Sequence, residues 1–432
     1  MTPDSSRDRV VIVISDPSRV DLEWVLPLID ELASDGVNLD VIDFSAPVPT
    51  DDSNYWMRAL RLIGHEPMLS ADLEPIPRFL ARALDWMRSS RHRPIALIGA
   101  SYFSPKSPLN GLFPFTRWRE ARRRRRLGDL MASTACVFTR LREEDMAPEM
   151  PEGEFLEIAR RNDVPVIGYP PVIDHIRSHR TLMNCDVALA NTAPQAKTLP
   201  VGKQTRAIAV TPPKFTRRWL DRINQLQQRL SDPIKLPENR ERTLVILKND
   251  TSVVWKGLGF LETTRHLIDR LMSDGSYLVL KPHPRQSPAA LDKLLDGLDP
   301  NDYCTVDGPL SYWAQRVDKV VSLFSGGVLD VLAVGKVPVL YWPLTDSYLD
   351  QIRADNVPEK YARLDDSCRL VTRYGEFCHE VTSPNYQPPQ SPDDSQPIRR
   401  FRALYPMAPD CRETKALIPV DRQEREQLHE PS

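Results

Sequence analysis

Short apolar runs alternate with longer segments of helical periodicity along most of the chain. In residues 21–34, Leu22, Val25 and Ile29 recur at the spacing of one helix face, and Gly36 marks the helix end. Parallel strands need a crossover that returns the chain along the sheet face, so this alternation predicts βαβ units. In the first half it predicts strands at 10–15, 37–44, 95–99, 132–139, 164–169, 186–190 and 205–210, with helices at 21–34, 53–63, 75–87 and 152–161.

The same alternation restarts after a polar segment with two prolines at 230–240, which we interpret as a linker. It predicts strands at 243–248, 277–280, 303–306, 317–324 and 337–342, with helices at 289–296 and 328–334. Two half-chains with their own buried strands predict an α/β protein of two Rossmann-like domains, 1–229 and 241–381, that face each other across a cleft. Residues 382–432 are rich in Pro and polar residues and lack periodicity, so we expect an extended or disordered tail, with its packing on the first domain left open.

Composition narrows the class of protein. The 432 residues are 41% hydrophobic and 27% charged, which is typical of a globular protein, and the net charge of −2 argues against a general nucleic-acid binder. No apolar run reaches the roughly 18 residues of a membrane span, and no signal peptide is evident, so we expect a cytoplasmic protein. The six cysteines are widely spaced and predict buried free thiols.

Two motifs in the second half predict an anion site. The strand at 277–280 ends in Lys281-Pro282-His283-Pro284, where two prolines restrict the imidazole and basic residues flank it. The strand at 317–324 ends at Ser325-Gly326-Gly327, directly before a helix whose N-terminal N–H groups favour a phosphate. Ligands of parallel sheets lie beyond the carboxyl ends of the strands, where both motifs fall. A helix N-cap and ordinary loop prolines are the alternative interpretation of the same residues.

A resemblance follows from these residues. The runs 281–285, 317–330 and 335–342, with Gly335-Lys336-Val337-Pro338 in the last, resemble the carboxyl-terminal half of GT-B transferases. The pattern is similar to that of CDP-glycerol glycerophosphotransferases and bacterial capsule polysaccharide transferases, and the Ser-Gly-Gly turn also resembles UDP-GlcNAc 2-epimerases. About 100 residues carry the resemblance, which implies that His283 and the turn hold the phosphates of a nucleotide-linked donor.

The resemblance implies a glycosyl- or polyol-phosphate transferase that uses a CDP-, CMP- or UDP-linked donor and a glycan or polyol-phosphate acceptor in surface or capsular polysaccharide biosynthesis. Two alternatives stay open: a UDP-sugar 2-epimerase-like enzyme, and a non-catalytic GT-B nucleotide-binding partner. The first βαβ unit lacks GxGxxG, which weighs against a dinucleotide enzyme. Without a DxD-type pair at a strand end, the mechanism requires no metal, and we expect no cofactor.

Individual residues are assigned to this mechanism. Lys248, Lys281, His283, Ser325, Gly326, Gly327 and Asp346 are predicted to bind the donor phosphates or nucleotide, and His283 also to act in catalysis. The general base should come from the first domain, across the cleft. His175 is our preferred candidate because the neighbouring Asp174 can tune its pKa toward neutral pH, and Asp16 is another candidate at a strand end.

Residues 117–126 have the most unusual local composition, with seven arginines and Trp118. A solvated helix face is one interpretation. The functional alternative is a basic patch that meets anionic phospholipid headgroups or a polyanionic acceptor, which would place the protein peripherally at the inner face of the membrane. The patch is formed by Arg117, Arg119, Arg122, Arg123, Arg124, Arg125 and Arg126.

Overall fold

A computed structural model describes residues 7–16, 19, 21–45, 54–69, 124–141, 152–170, 185–202, 204–230, 234–252, 255, 259–323, 325–341, 369–371, 374–382 and 395–419. These residues form two parallel sheets, each covered by helices. The predicted helix at 75–87 and the predicted strand at 95–99 lie outside the described residues. The chain has the predicted α/β architecture of two Rossmann-like domains facing across a cleft.

The first sheet has seven parallel strands in the order β3-β2-β1-β4-β5-β6-β7. The strands are β1 (Arg9–Ile14), β2 (Asn38–Asp43), β3 (Met68–Leu69), β4 (Thr134–Arg140), β5 (Val166–Tyr169), β6 (Val187–Ala190) and β7 (Arg206–Ala209). Its helices are α1 (Leu22–Ser34), α2 (Tyr55–Leu62), α3 (Gly153–Arg161), α4 (Ala193–Thr198) and α5 (Arg217–Leu230). Residues 124–132 are also helical, and a 3₁₀ turn spans Pro213–Phe215.

The second sheet has six parallel strands in the order β10-β9-β8-β11-β12-β13. The strands are β8 (Arg242–Ile246), β9 (Tyr277–Lys281), β10 (Tyr303–Thr305), β11 (Lys319–Leu323), β12 (Val339–Tyr341) and β13 (Arg369–Val371). Its helices are α6 (Phe260–Ser273), α7 (Pro288–Leu295), α8 (Leu310–Ala314), α9 (Val328–Ala333) and α10 (Tyr374–Val381). Residues 234–241 carry no helix or strand, whereas Leu230, the first residue of the predicted linker, is the last residue of α5.

The strands form because their apolar residues are buried on both faces of the sheet. In β1, Val10, Ile12 and Ile14 pack with the α1 side, whereas Val11 and Val13 pack on the opposite side with Leu127 and Phe155. A sheet that is covered by helices on both faces selects continuous Val, Ile and Leu runs, which the sequence shows. The four cysteines Cys136, Cys185, Cys378 and Cys411 are buried free thiols, as predicted.

The tail needs a correction. An extended or disordered segment was expected for 382–432, but residues 395–419 contain α11 (Gln396–Leu404) and α12 (Arg412–Lys415). Ile398 and Phe401 of α11 are buried in the core of the second domain, and Cys411 and Ile418 are buried against the first domain. The polar composition hid these helices because only a few apolar side chains anchor them to surfaces built by distant parts of the chain.

Hydrogen bonds fix the last part of this tail to the first domain. Glu31 of α1 is buried and accepts hydrogen bonds from the backbone N–H of Cys411 at 2.9 and 3.0 Å. Lys415 lies 3.3 Å from Glu31 and 2.7 Å from Asp35. The chain therefore crosses from the second domain back to the first. Within the described residues, no helix is long and apolar enough to cross a bilayer.

Candidate functional site

Both sheets reverse their strand order beside their first strand. β1 lies between β2 and β4, and β8 lies between β9 and β11. In an open parallel sheet the crevice for a ligand forms at such a point, outside the carboxyl ends of the strands. The side chains that follow β1, β4, β8, β9 and β11 therefore define the two candidate halves of a site in the cleft.

Three basic side chains surround His283 at the edge of the second sheet. Lys248 follows β8, Lys281 ends β9, and Arg285 comes two residues after the imidazole. Lys281 Nζ lies 3.5 Å from Asp307 Oδ1, and its side chain is 12% exposed, whereas the side chain of Arg285 is 58% exposed. The structure places Lys248, Lys281 and His283 at the same edge of the sheet, close enough for both lysines to act on the imidazole.

His283 is held neutral and in one tautomer. Burial, followed by the charges of Lys248, Arg285 and Lys281, lowers its pKa from 6.5 to about 4. Its Nδ1 accepts a hydrogen bond from the backbone N–H of Arg285 at 3.0 Å. In a neutral imidazole whose Nδ1 is the acceptor, the proton is on Nε2. At neutral pH His283 is therefore a hydrogen-bond donor in a cationic environment, and this combination suits an anionic oxygen.

Asp250 supports the loop that carries His283. Its Oδ1 accepts hydrogen bonds from Gln286 Nε2 at 3.3 Å and from the backbone N–H of Ser287 at 3.2 Å. Ser287 in turn caps α7 by accepting from the backbone N–H of Ala290 at 3.2 Å. The α7 end of the loop between β9 and α7 is thus fixed both by the β8 loop and by a helix cap. Its conformation does not depend on the prolines alone.

The Ser325-Gly326-Gly327 turn has the predicted place between β11 and α9, but its residues differ in role. Ser325 is buried, and its Oγ accepts from the backbone N–H of Gly327 at 3.3 Å. A Cβ on Gly327 would lie 2.4 Å from Leu310 Cδ1, so any larger residue here requires the Leu310 side chain of α8 to move. A Cβ on Gly326 would meet nothing within 4 Å. Gly326 is therefore the residue of the turn that leaves backbone open to a ligand.

The first-sheet edge has a different arrangement of charge. Asp16, which follows β1, forms an ion pair with Arg140 at the end of β4. Asp21 caps α1 and accepts hydrogen bonds from the backbone N–H groups of Ser15 at 2.9 Å and Asp16 at 3.1 Å. Burial raises the pKa of Asp21 to about 6, against the effect of these hydrogen bonds. Carboxylate side chains, and not glycines, therefore hold the backbone in position where β1 ends.

A second ion pair closes this loop. Arg19 has a left-handed backbone conformation with φ of 54°, which is unfavourable for a residue with a Cβ. Its guanidinium donates to Asp43 Oδ2 from Nε at 3.2 Å and from Nη2 at 3.1 Å, and both side chains are buried. Arg19 therefore neutralises the carboxylate at the end of β2 and holds the loop against the sheet.

The two edges meet across the cleft. Arg285 Nη2 of the second domain lies 3.6 Å from Asp16 Oδ2 of the first, and the Asp16 side chain is 6% exposed. Asp16, a candidate base at the sequence level, is therefore a carboxylate with a guanidinium on either side. Both guanidinium groups attract this carboxylate. Its contribution at this position is electrostatic.

Several predicted residues are not placed by the structure. His175, Asp346, Arg117, Arg119, Arg122 and Arg123 lie outside the described residues. Arg124, Arg125 and Arg126 are exposed at the start of the helix 124–132, and Arg124 Nε lies 3.7 Å from Glu154 Oε1. In the described part of the chain, no group of three His, Cys, Asp or Glu side chains is arranged to hold a metal ion.

The sequence offered little signal for some of the residues at this site. In the sequence, Arg140 is only the residue that follows a predicted strand. The sheet order places β4 beside β1 and so brings Arg140 to Asp16, which is 124 residues away in the chain. Lys214 joins Glu23 and Asp330 through contacts that span 191 and 116 residues. A polar residue at the end of a buried strand, or within two residues of that end, is the local signal that Asp16, Arg140 and Lys248 share.

Comparison with solved structures agrees with this architecture. S. aureus MnaA solved with UDP aligns with 98% of this chain and 99% of its own at 11% identity and a TM-score of 0.51. The chain has the GT-B fold. A Listeria monocytogenes protein provisionally described as a UDP-N-acetylglucosamine 2-epimerase aligns over 97% of each chain, also at 11% identity and a TM-score of 0.51.

A glycosyltransferase structure is also similar at a lower score. The spinosyn rhamnosyltransferase SpnG complexed with thymidine diphosphate aligns with 98% of this chain and 100% of its own, at 13% identity and a TM-score of 0.45. No protein-family model matches the chain, and no curated protein matches it in sequence.

Proposed function

We propose that the protein is a transferase that binds a nucleotide-activated donor in the cleft and transfers a glycosyl or polyol-phosphate group from it. The observation that carries this proposal is neutral His283, with Nε2 as donor, among Lys248, Lys281 and Arg285 at the switch point of the second sheet. Phosphate oxygens are the ligands that such a set of donors favours. Because the similar S. aureus MnaA was solved with UDP, a nucleoside diphosphate is the first ligand to test.

In this mechanism the second domain stabilises the leaving nucleotide. Lys248, Lys281 and Arg285 neutralise charge that develops on the phosphate as the bond to the transferred group breaks. His283 donates a hydrogen bond from Nε2, and the open backbone at Gly326 leaves room for a phosphate oxygen to approach. Fixed donors of this kind need no reorganisation during the reaction, because the Asp250 contacts already hold the His283 loop in place.

The acceptor side belongs to the first domain. Asp16, held by Arg140, faces the donor edge and keeps Arg285 oriented toward the cleft. The base that removes the acceptor proton remains a prediction, with His175 as the candidate. The exposed arginines 124–126 support a polyanionic acceptor or an anionic membrane surface as the partner of this domain. Surface or capsular polysaccharide synthesis is the process that we propose for such a reaction.

An epimerase is the second candidate. It is favoured by the UDP-N-acetylglucosamine 2-epimerase description of one similar structure and by the Ser-Gly-Gly turn. That reaction needs acidic or basic groups of the first domain close to the sugar, and Asp16 is a described carboxylate at the cleft. Both of its described ion-pair partners are guanidinium groups, and the turnover assay distinguishes the two reactions. A nucleotide-binding partner without turnover is the third possibility.

The test is a binding and turnover comparison. UDP, CDP, CMP, GDP and thymidine diphosphate are titrated into the wild type, His283→Ala and Ser325→Ala by calorimetry. His266→Ala on α6 is the control. We expect one nucleotide to bind wild type and His266→Ala, and to bind His283→Ala at least tenfold more weakly, or about 1.4 kcal/mol. No nucleotide binding to the wild type would contradict the proposal.

Turnover then separates the candidates. The sugar nucleotide of the base that binds is incubated with and without glycan acceptors. Nucleotide release that depends on acceptor supports a transferase, and a sugar nucleotide with inverted configuration supports an epimerase. Binding without either product supports the non-catalytic partner and contradicts the transferase.

A further inference from the structure

Lys214 lies between the two domains, in the 3₁₀ turn that follows β7. Its Nζ is 3.1 Å from Glu23 Oε1, and 3.0 and 3.1 Å from the two carboxylate oxygens of Asp330. Glu23 lies in the first turn of α1, and Asp330 lies in the first turn of α9. One ammonium group therefore joins the helix after the β1 loop to the helix after the Ser325–Gly327 turn.

The environment keeps this ammonium charged. Burial of Lys214 opposes the charged form, but the carboxylates of Asp330 and Glu23 outweigh it and raise the lysine pKa. The side chain is 13% exposed, so little solvent screens the contacts. Removing one partner of a buried charge group leaves the others uncompensated, and this makes the cluster sensitive to the relative position of the domains.

The contacts of the adjacent residue Phe215 fix the position of Lys214. Phe215 is fully buried in the core of the second domain, where its ring centroid lies 5.4 Å from that of Phe401 and 5.7 Å from that of Tyr405. Lys214 Nζ lies 5.3 Å from the centroid of the Phe215 ring. The Phe215 ring is thus anchored in the second domain, and the adjacent Lys214 ammonium contacts one helix of each domain.

We propose that Lys214 sets the separation of the two halves of the cleft and thereby the fit of a ligand that spans them. It is a positioning residue, which acts through α1 and α9. This role rests on the proposed function, in which the second domain holds the nucleotide and the first domain meets the transferred group. Loss of the Lys214 contacts should therefore weaken binding of a nucleotide-sugar more than binding of the nucleotide diphosphate alone.

Small-angle X-ray scattering without ligand tests the separation directly. The variants are Lys214→Met, Lys214→Arg and Glu23→Gln, with Glu262→Gln in the exposed first turn of α6 as a matched acidic control. We expect a larger radius of gyration for Lys214→Met and Glu23→Gln, and wild-type values for Lys214→Arg and Glu262→Gln. Equal values for all of the folded variants would overturn the inference, whatever the ligand proves to be.

Ligand binding gives a second readout that a local structural role would not produce. UDP and UDP-N-acetylglucosamine are titrated into the same proteins. We expect Glu23→Gln, a first-domain change, to weaken UDP-N-acetylglucosamine about fivefold or more and to change UDP affinity less than about twofold. Equal weakening of both ligands, or of neither, would overturn the inference. Failure of the wild type to bind either ligand would count against the proposed donor, and scattering alone would then decide the role of Lys214.

Discussion

The carboxyl edges of the two sheets can be compared strand by strand, because β2-β1-β4 in the first sheet corresponds to β9-β8-β11 in the second. At the first edge, Arg140 lies against Asp16, and Arg19 against Asp43. At the second edge, basic side chains surround a neutral imidazole, and the guanidinium of Arg285 is largely exposed. The same topology therefore produces an edge with buried ion pairs and an edge where long, partly exposed pairs leave cations around an imidazole, and we propose the second edge as the anion site.

Topology therefore locates a crevice, whereas the local balance of charge determines which ligand the crevice suits. The first edge uses its charges to build the β1 loop, as the hydrogen bonds to Asp21 and Asp43 show. The second edge builds its loop through Asp250 and leaves other polar groups to face the cleft. Substitutions at the first edge should therefore affect stability, and substitutions at the second should affect binding.

The largest expected effect is at Asp43. Asp43→Asn leaves the buried Arg19 guanidinium without its carboxylate, so we expect a loss of about 3 kcal/mol in the free energy of unfolding. Asp40→Asn, which removes a partly exposed pair with Arg9, should cost less than about 1 kcal/mol. Urea denaturation measures both. A similar small loss for the two variants would contradict the structural role of the buried pair.

The two glycines of the second-edge turn should separate stability from binding. In Gly327→Ala, the added methyl group collides with Leu310, and we expect a loss of about 2 kcal/mol in thermal or urea unfolding. Gly326→Ala has open space around the methyl group and should unfold like the wild type, but it should bind the nucleotide more weakly. Normal nucleotide affinity in Gly326→Ala would show that this backbone is not part of the site.

Lowering the pH should destabilise the protein through His283, which is neutral in the folded state. Its folded-state pKa of about 4 lies below the ordinary value of 6.5, so the unfolded chain binds the extra proton first. The contribution of His283 to stability is therefore complete above pH 6.5 and is lost as the pH falls toward 4, by about 2 kcal/mol after allowance for partial exposure. His283→Gln should remove this part of the pH dependence of urea unfolding, and an unchanged profile would contradict the assignment.

Arg285 should have the smallest effect of this series, and mainly on binding. Arg285→Ala removes a largely exposed cation whose pair with Asp16 is long, so we expect nucleotide affinity to fall about tenfold, or about 1.4 kcal/mol, and stability to fall by less than about 1 kcal/mol. Arg265→Ala, which removes an exposed pair with Asp269 on α6, is the control and should bind normally. Equal affinities in the two variants would remove Arg285 from the site.

The sequence predicted most of the fold because buried strands and their helices leave a local signal. β1, α1, β8 and β9 begin and end within two residues of their predicted limits. The apolar anchors of α11 gave too weak a pattern, since Phe401 is buried against Phe215, a residue 186 positions earlier (401 − 215). Local patterns cannot report contacts of that range.

The candidate site was predictable where its residues are close in sequence. Lys281 and His283 occur in one motif, and Ser325 to Gly327 form another, so the sequence alone assigned them to the carboxyl ends of two strands, β9 and β11, which lie on either side of β8. The packing reason for Gly327 and the pairing of Asp16 depend on Leu310 and Arg140, whose positions follow only from the tertiary structure. The roles of these residues therefore became visible with the fold.

The most direct test of the central claim is the pKa of His283 measured by NMR with and without UDP. In the free protein, the neighbouring cations and burial keep this pKa low, near 4. A phosphate within hydrogen-bonding distance of Nε2 favours the protonated imidazole, so we predict that saturating UDP raises the pKa by at least about one unit. An unchanged His283 pKa at saturating UDP would place the nucleotide elsewhere and contradict the assignment of the second edge.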